Sequence, residues 1–237
     1  MSILNAYFNW SSGKDSAMAL YHAQQDPRFE VRTLLTTVNQ AHQRVSMHGI
    51  HVDLLDQQAQ ALGLPLEKIW LPEVVNMDEY EGLMHQAVDT MRQLGCEHAI
   101  FGDIYLEDLR LHRETQLAAK QIQAHFPLWQ RNTRVLLNEL IDLGFKAIVV
   151  AVDGSKLDAS FVGRCIDKSF VNDLPADVDP CGENGEYHTF VFDGPNFSYP
   201  IPFELGEIVH KHYQAEHLTD AHPGFYFKEL IPVNVDK

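Results

Sequence analysis

Apolar residues along this chain arrive in short continuous runs separated by stretches with a helical period, and that alternation sets the first expectations. Ile3 to Trp10 (ILNAYFNW) predicts a buried first strand, and Asp15 to Gln25 the helix after it. The β-branched run Val31 to Asn39 predicts a second strand, followed by a polar, histidine-containing loop that ends near Gly49. Within Val52 to Leu62 the apolar residues Leu54, Leu55, Ala59 and Leu62 fall at helical spacing, and Gly63 stands where a C-terminal glycine cap belongs. Leu66 to Leu71 reads as a third strand. Asp78 is placed to cap a long helix through Leu94 that Gly95 stops, and His98 to Phe101 reads as a fourth strand. A helix containing Leu106 to Ala118 comes next, then Thr133 to Leu143 as another, ended by Gly144, and Phe145 to Val152 (FKAIVVAV) as a fifth strand.

Strands alternating with helices imply an α/β fold: a mostly parallel sheet with helices on both faces and ligands bound outside the carboxyl ends of the strands. Beyond Val152 the grammar changes. Asp173 to Pro202 is rich in Pro, Gly, Asp and Asn around one strand-like piece, HTFVFD, and FYFKELI near the C-terminus is another. This predicts a smaller mixed domain, with the boundary between Pro127 and Thr133, so that 1–130 would form the first domain and 131–237 the second.

Composition narrows the class. The 237 residues carry a formal net charge of -15, which argues against gripping nucleic acid as the main task, because neutralising phosphates needs a basic surface. No segment approaches the roughly 20 uninterrupted apolar residues of a membrane helix, and the first ten residues carry no basic leader, so a cytoplasmic protein is expected. Cys96, Cys165 and Cys181 are far apart and odd in number, which fits reduced thiols better than disulfides or a zinc site. His48 and His51, or His210, His212 and His217, match no metal-binding spacing.

The stretch that carries chemistry is Trp10 to Leu20, WSSGKDSAMAL. A Walker loop needs a glycine where this chain has Phe8 and a hydroxyl residue where it has Asp15; the dinucleotide fingerprint needs more than the single Gly13. What remains is a strand, a serine-rich turn and a helix, whose free N–H groups and dipole favour a polyphosphate, with Ser11, Ser12, Ser16 and Lys14 around it. The bland alternative is that these residues only cap a helix and that Lys14 is solvated. One cap residue would serve that purpose, whereas small residues at four of the six positions from Ser11 to Ser16 fit close approach of a ligand.

This turn resembles the SGGKDS signature of the PP-loop ATP pyrophosphatases, with Ser12 in place of the first glycine. Two further stretches, FGDIYLEDLRLHRE from Phe101 to Glu114 and CGENGEYHTFVFDGP from Cys181 to Pro195, together with PLW at Pro127 to Trp129, resemble the diphthine-ammonia ligase family. That resemblance implies an ATP-dependent ligase that activates a carboxylate as an acyl-adenylate, releases pyrophosphate and then couples ammonia, the family's acceptor being diphthine on a translation elongation factor. ATP would be held by Ser11, Ser12, Gly13, Lys14, Asp15, Ser16 and Gly102. Mg2+ would be held by Asp103 with Asp15, since a carboxylate beside a polyphosphate needs a cation between them; the competing reading makes Asp103 the cap of the following helix. Lys14, Asp103, Glu183 and Glu186 would form the catalytic set, with Glu107, Arg110, Arg113, Glu114, Gly182 and Gly185 on the substrate side. Cys181 is read as structural, and the nitrogen source as free ammonia or a separate donor. Two alternatives stay open: a PP-loop enzyme acting on another small molecule or on tRNA, and a non-catalytic ATP or AMP sensor. The acceptor's identity and the oligomeric state do not follow from the sequence.

Overall fold

The structure, a computed structural model, describes residues 3–45, 49–212 and 222–233. His48 and His217 therefore lie outside the described residues. The elements run β1 (Leu4–Asn9), α1 (Lys14–Gln25), β2 (Phe29–Asn39), β3 (Arg44–Val45), α2 (Val52–Leu62), β4 (Leu66–Leu71), α3 (Met77–Gln93), β5 (His98–Ile100), α4 (Glu107–Ala119), β6 (Gln123–His125), α5 (Thr133–Asp142), β7 (Lys146–Asp153), α6 (Lys168–Asp173), β8 (Tyr187–Asp193), β9 (Phe203–Lys211) and β10 (Phe225–Pro232).

The first sheet is parallel along the order β4-β2-β1-β5-β6, and the short β3 joins the end of β2 antiparallel. Strand alternation covers it on both sides. Ala6, Phe8 and Leu34 pack with α1 and α2 in one core, while Tyr7 and Leu35 pack with Val88 and Met91 of α3 and Leu117 of α4 in another. The expected α/β architecture is thus present. The second sheet, β8-β7-β10-β9, is antiparallel throughout. Its strands β7 and β8 contribute Ile148, Val150 and Phe190 to the same core as Phe8 and Leu20, so one continuous apolar interior joins the two sheets.

Several local expectations need correction. Asp78 does not cap α3: the cap is Asn76, whose side chain accepts from the Glu79 amide while Glu79 reaches back to the Asn76 amide. The signal N-x-x-E was available two residues earlier. Asp103 does not cap α4 either, because the helix starts after Leu106, which makes no side-chain cap. Strands β6, β3 and β9 and helix α6 went unpredicted. The first is only three residues long, and β9 has mostly exposed residues along its length, which removes the alternation that marks a half-buried strand. No helix among the described residues is long and apolar enough to cross a membrane.

Candidate active site

The serine-rich turn leaves β1 and enters α1 beside the end of β5, because β1 and β5 are parallel neighbours with Phe8 opposite Ile100. The Asn9 side chain donates to the Ile100 carbonyl at 3.2 Å and ties the two strand ends together. Gly102 follows immediately. A Cβ there would stand 3.0 Å from the Ser16 nitrogen and 3.1 Å from the Asp15 carbonyl carbon and oxygen, so only glycine lets the two loops approach this closely.

The turn is not a locally capped helix start. Gly13 is the N-cap and makes no side-chain cap. Instead the Lys14 amide donates to the Thr189 hydroxyl of β8 at 3.0 Å, and Ser11, Ser16 and the Gly13 carbonyl form a short relay at 3.1 and 3.0 Å. The amides of Asp15 and Ser16 find no acceptor among the described residues, which leaves the helix's positive end open to an anion. Ser12 adopts φ 69, the left-handed region, and its buried hydroxyl has no hydrogen-bond partner. A glycine belongs here on physical grounds, and this is the position where the sequence departs from the SGGKDS signature. Ser12→Gly should raise stability by about 1 kcal/mol in urea unfolding by removing a strained non-glycine conformation; an unchanged midpoint would show that the serine meets a need of its own.

Lys14 is neither solvated nor on the surface, as one sequence reading and the loop's polarity had it. It is 3% exposed, and its ammonium donates to Asp15 Oδ2 at 2.7 Å and to the Cys181 carbonyl, 5.0 Å from the centre of the Tyr187 ring. Burial alone would lower its pKa, but Asp15, Tyr187 and Cys181 outweigh that and hold it above the ordinary lysine value. The charge thus joins the serine-rich turn to the Cys181–His188 loop. Burial pushes the Cys181 thiol well up, and its Sγ faces the Thr133 carbonyl at 3.3 Å, surroundings that disfavour a thiolate.

The two motif glutamates have different surroundings. Glu183 Oε2 accepts from the Ile104 and Tyr105 amides, both at 3.2 Å, so the loop that follows Gly102 and the loop that follows Cys181 are stitched through one carboxylate. Burial, helped by Asp15, pushes its pKa up to about 7 against the pull of Lys14 and the two amides. Glu186 is 2% exposed and accepts from the Asp179 amide and from the Asn184 amide and side chain at 2.9 to 3.0 Å, holding its own loop in shape. Gly182 turns with φ 69 against the face of Tyr187, where a Cβ would come within 2.9 Å of the ring, and Gly185 lies in the same turn.

A carboxyl whose pKa is raised on folding contributes stability that is complete below the unfolded value and is lost as pH rises through the folded one. Without nucleotide or metal, the stability of wild type relative to Glu183→Gln should therefore fall as pH rises from about 4.5 to 7. His125 and His188, pulled down to about 4 mainly by burial, tilt both proteins the opposite way, so the difference between them is the measured quantity. Urea midpoints at closely spaced pH values check this, and parallel curves would refute it.

Asp103 is largely buried. Arg113 lies 3.3 Å from its Oδ2, yet that oxygen makes no hydrogen bond, and burial raises its pKa with a further push from Asp15. Of the α4 residues, Arg113 alone meets Asp103, and its guanidinium also lies over the Phe101 ring at 4.4 Å. Arg110 instead pairs with Glu114 at 2.7 Å and stacks 4.5 Å over Trp129 of the PLW motif, and Glu107 is exposed in the first turn of α4. Beside the turn a cavity of about 550 Å³ opens between α3, α4 and the carboxyl ends of β1 and β2, lined by Tyr7, Ser11, Thr36, Met84 and Arg113 among others. It combines apolar walls with a polar end at Ser11, the kind of lining that small-molecule sites have.

Three residues were missed from the sequence: Thr189, which receives the Lys14 amide; Asp179, which accepts from Thr133 at 2.7 Å and the Cys181 amide at 2.9 Å; and Gln58. Gln58 is fully buried and joins Trp10, the Ser12 carbonyl and the Val191 carbonyl. A signal existed for it, since it falls on the apolar stripe of α2 between Leu54 and Leu62. Residues 5–116 match the diphthamide synthase N-terminal domain, and residues 132–220 match the diphthamide synthase C-terminal domain. The chain belongs to the diphthamide synthase family. The Diphthine--ammonia ligase of Danio rerio is 28% identical over 173 residues, covering 67% of each chain, and that of Bos taurus is 29% identical over 183 residues, covering 71% of this chain and 67% of that one. The solved U34-tRNA thiolase NcsA from Methanococcus maripaludis overlays on 60% of this chain and 58% of that one with a TM-score of 0.37 at 16% identity.

Proposed function

We propose that this family member is an ATP-dependent, amide-forming ligase of the ATP pyrophosphatase type, with residues 1–130 holding the nucleotide and 131–237 serving the acceptor. The observation that carries this reading is the junction at Lys14. There the open helix start after Gly13 meets the Cys181–His188 loop, so a phosphate group and an acceptor group would react where the two parts touch. A carboxylate is a poor acyl donor because its leaving group would be oxide. Its attack on the α-phosphorus of ATP, with pyrophosphate leaving, gives an acyl-adenylate; ammonia then attacks the acyl carbon and AMP departs. The chain's contribution is alignment and charge: Ser11 to Ser16 and Gly102 around the phosphates, and Lys14 balancing the growing negative charge. Glu183, with a pKa near neutrality, suits the proton that the attacking ammonia must lose, and Glu186 keeps its loop in place. Nucleotide binding would draw on both parts, because Thr189 and Cys181 help to build the turn.

The donor set fits Mg2+. Asp103 offers a buried oxygen that makes no hydrogen bond but lies 3.3 Å from Arg113, so a cation held there with Asp15 would have to share or displace that guanidinium while easing the Asp15 repulsion that raises the Asp103 pKa. Such an ion would neutralise phosphate charge. Asp103→Asn should raise the Mg2+ concentration for half-maximal turnover about tenfold, read from a Mg2+ titration of pyrophosphate release; an unshifted titration would remove Asp103 from the metal site.

The deciding experiment incubates the protein with ATP, Mg2+, 15N-ammonium and candidate carboxylates, including diphthine on a translation elongation factor, and follows AMP, pyrophosphate and 15N incorporation by mass spectrometry. AMP and pyrophosphate that depend on a carboxylate support the ligase. ADP as product would overturn it, and tight ATP binding with no AMP under any acceptor would favour a sensor.

A further inference from the structure

At the back of the serine-rich turn, α2 places a polar side chain where its packing calls for an aliphatic one. Gln58 is fully buried and stands in the stripe of Leu54, Leu55 and Leu62. Its Nε2 donates to the Ser12 carbonyl at 3.1 Å and to the Val191 carbonyl of β8 at 2.5 Å, while Oε1 accepts from the Trp10 indole at 3.0 Å. These partners fix which way the carboxamide points: an indole N–H only donates and a carbonyl only accepts, so a flipped amide would lose all three bonds. One side chain thus ties the chain leaving β1, the turn and the second sheet together.

What it ties down is a conformation that a serine disfavours. Ser12 has φ 69, in the left-handed region, and its buried hydroxyl makes no hydrogen bond that would offset the cost. Its carbonyl, in contrast, receives two donors, Gln58 and the Val191 amide at 3.0 Å. Were Ser12 to leave the left-handed region for an ordinary one, that carbonyl would turn away from both. Gly13 comes next and restrains the backbone least, so the direction of the open Asp15 and Ser16 amides depends on how firmly Ser12 is held. At 0% exposure, Gln58 itself is out of a ligand's reach.

We propose that Gln58 is a positioning residue for the anion: by anchoring the Ser12 carbonyl it keeps the turn in its ligand-binding shape, so anion affinity depends on a side chain that touches no ligand. This rests on the reading of the turn as the holder of phosphate, not on the ligase chemistry. Without the anchor, the competent turn becomes a minor state, and apparent affinity falls in proportion to its population. A glycine at position 12 reaches φ 69 without strain, so Ser12→Gly should make the anchor dispensable.

The test measures pyrophosphate binding to the full chain by calorimetry. Gln58→Met is expected to weaken binding about tenfold, the size of a left-handed penalty, and Ser12→Gly alone to leave it near the wild-type value. The double variant Ser12→Gly/Gln58→Met should return to within about threefold of wild type, a rescue that a loosened core would not show. In the unmodified protein, saturating pyrophosphate should slow hydrogen exchange of the Trp10 indole and the Gln58 carboxamide more than that of the buried Val149 amide in β7, because ligand and anchor select the same turn. That readout does not depend on how a variant folds. Wild-type affinity in a folded Gln58→Met, no recovery in the double variant, or slowing no greater than at Val149 would each overturn the proposal. Wild type that binds no pyrophosphate would overturn it together with the phosphate reading of the turn. Failure of the ligase reading alone shows elsewhere, as missing AMP while pyrophosphate still binds.

Discussion

Lys14→Ala is expected to lower pyrophosphate release by about 100-fold or more and, at the same time, to destabilise the fold. The first effect is the loss of a preorganised positive charge at the phosphates. The second follows from where the side chain lies: its removal strands the Asp15 carboxylate and the Cys181 carbonyl, which it joins at the boundary between the two sheets. Deleting one partner of a buried pair costs about 3–5 kcal/mol, and Asp15 keeps 29% of its side-chain exposure, so the lower end of that range, about 3 kcal/mol, is expected. Urea unfolding reads the stability, and turnover measured well below the melting temperature reads the chemistry. Wild-type turnover in a stable variant would remove Lys14 from the site altogether.

Gly102→Ala should be nearly as damaging, although it adds a single methyl group. The atoms that methyl would meet, at 3.0 and 3.1 Å, belong to the backbone of Asp15 and Ser16, so no rotamer change relieves the clash and the phosphate turn itself must move. A cost of about 1–3 kcal/mol in stability is expected from overpacking. A shift of the turn by a fraction of an ångström should cost about 100-fold in turnover. Gly82, in α3, has open space at its Cβ position, so Gly82→Ala provides the matched control and should leave turnover unchanged. If Gly102→Ala keeps full turnover, the contact between the two strand ends does not shape the nucleotide site.

Much of the first sheet was legible before any coordinates. Its strands are short apolar runs, its helices keep a 3.6-residue period, and residues such as Gly63 and Gly144 mark helix ends because backbone φ there is positive. Elements failed where that physics is silent: β6 is too short to show a period, and β9 carries no alternation because most of its residues are exposed. The α3 start was misread because two residues could each serve as a cap, and only the reciprocal Asn76–Glu79 bonds decide between them.

The candidate site divides along the same line. The sequence by itself determined the serine-rich strand-turn-helix unit and the family motifs, because these depend on neighbours within a few residues. Gly102 comes beside Ser16 because β1 and β5 pair, a strand order that no local pattern of residues dictates. Only the tertiary structure decided what Lys14 does, since its partners Cys181 and Tyr187 are more than 160 positions away and nothing local predicts which way a lysine turns. It also separated Glu183, which bridges to the loop after Gly102, from Glu186, which holds its own turn, although the two stand three residues apart. Charge in a folded chain takes its energy from burial and from whichever groups the packing brings within a few ångströms, and neither quantity is written in the order of the residues.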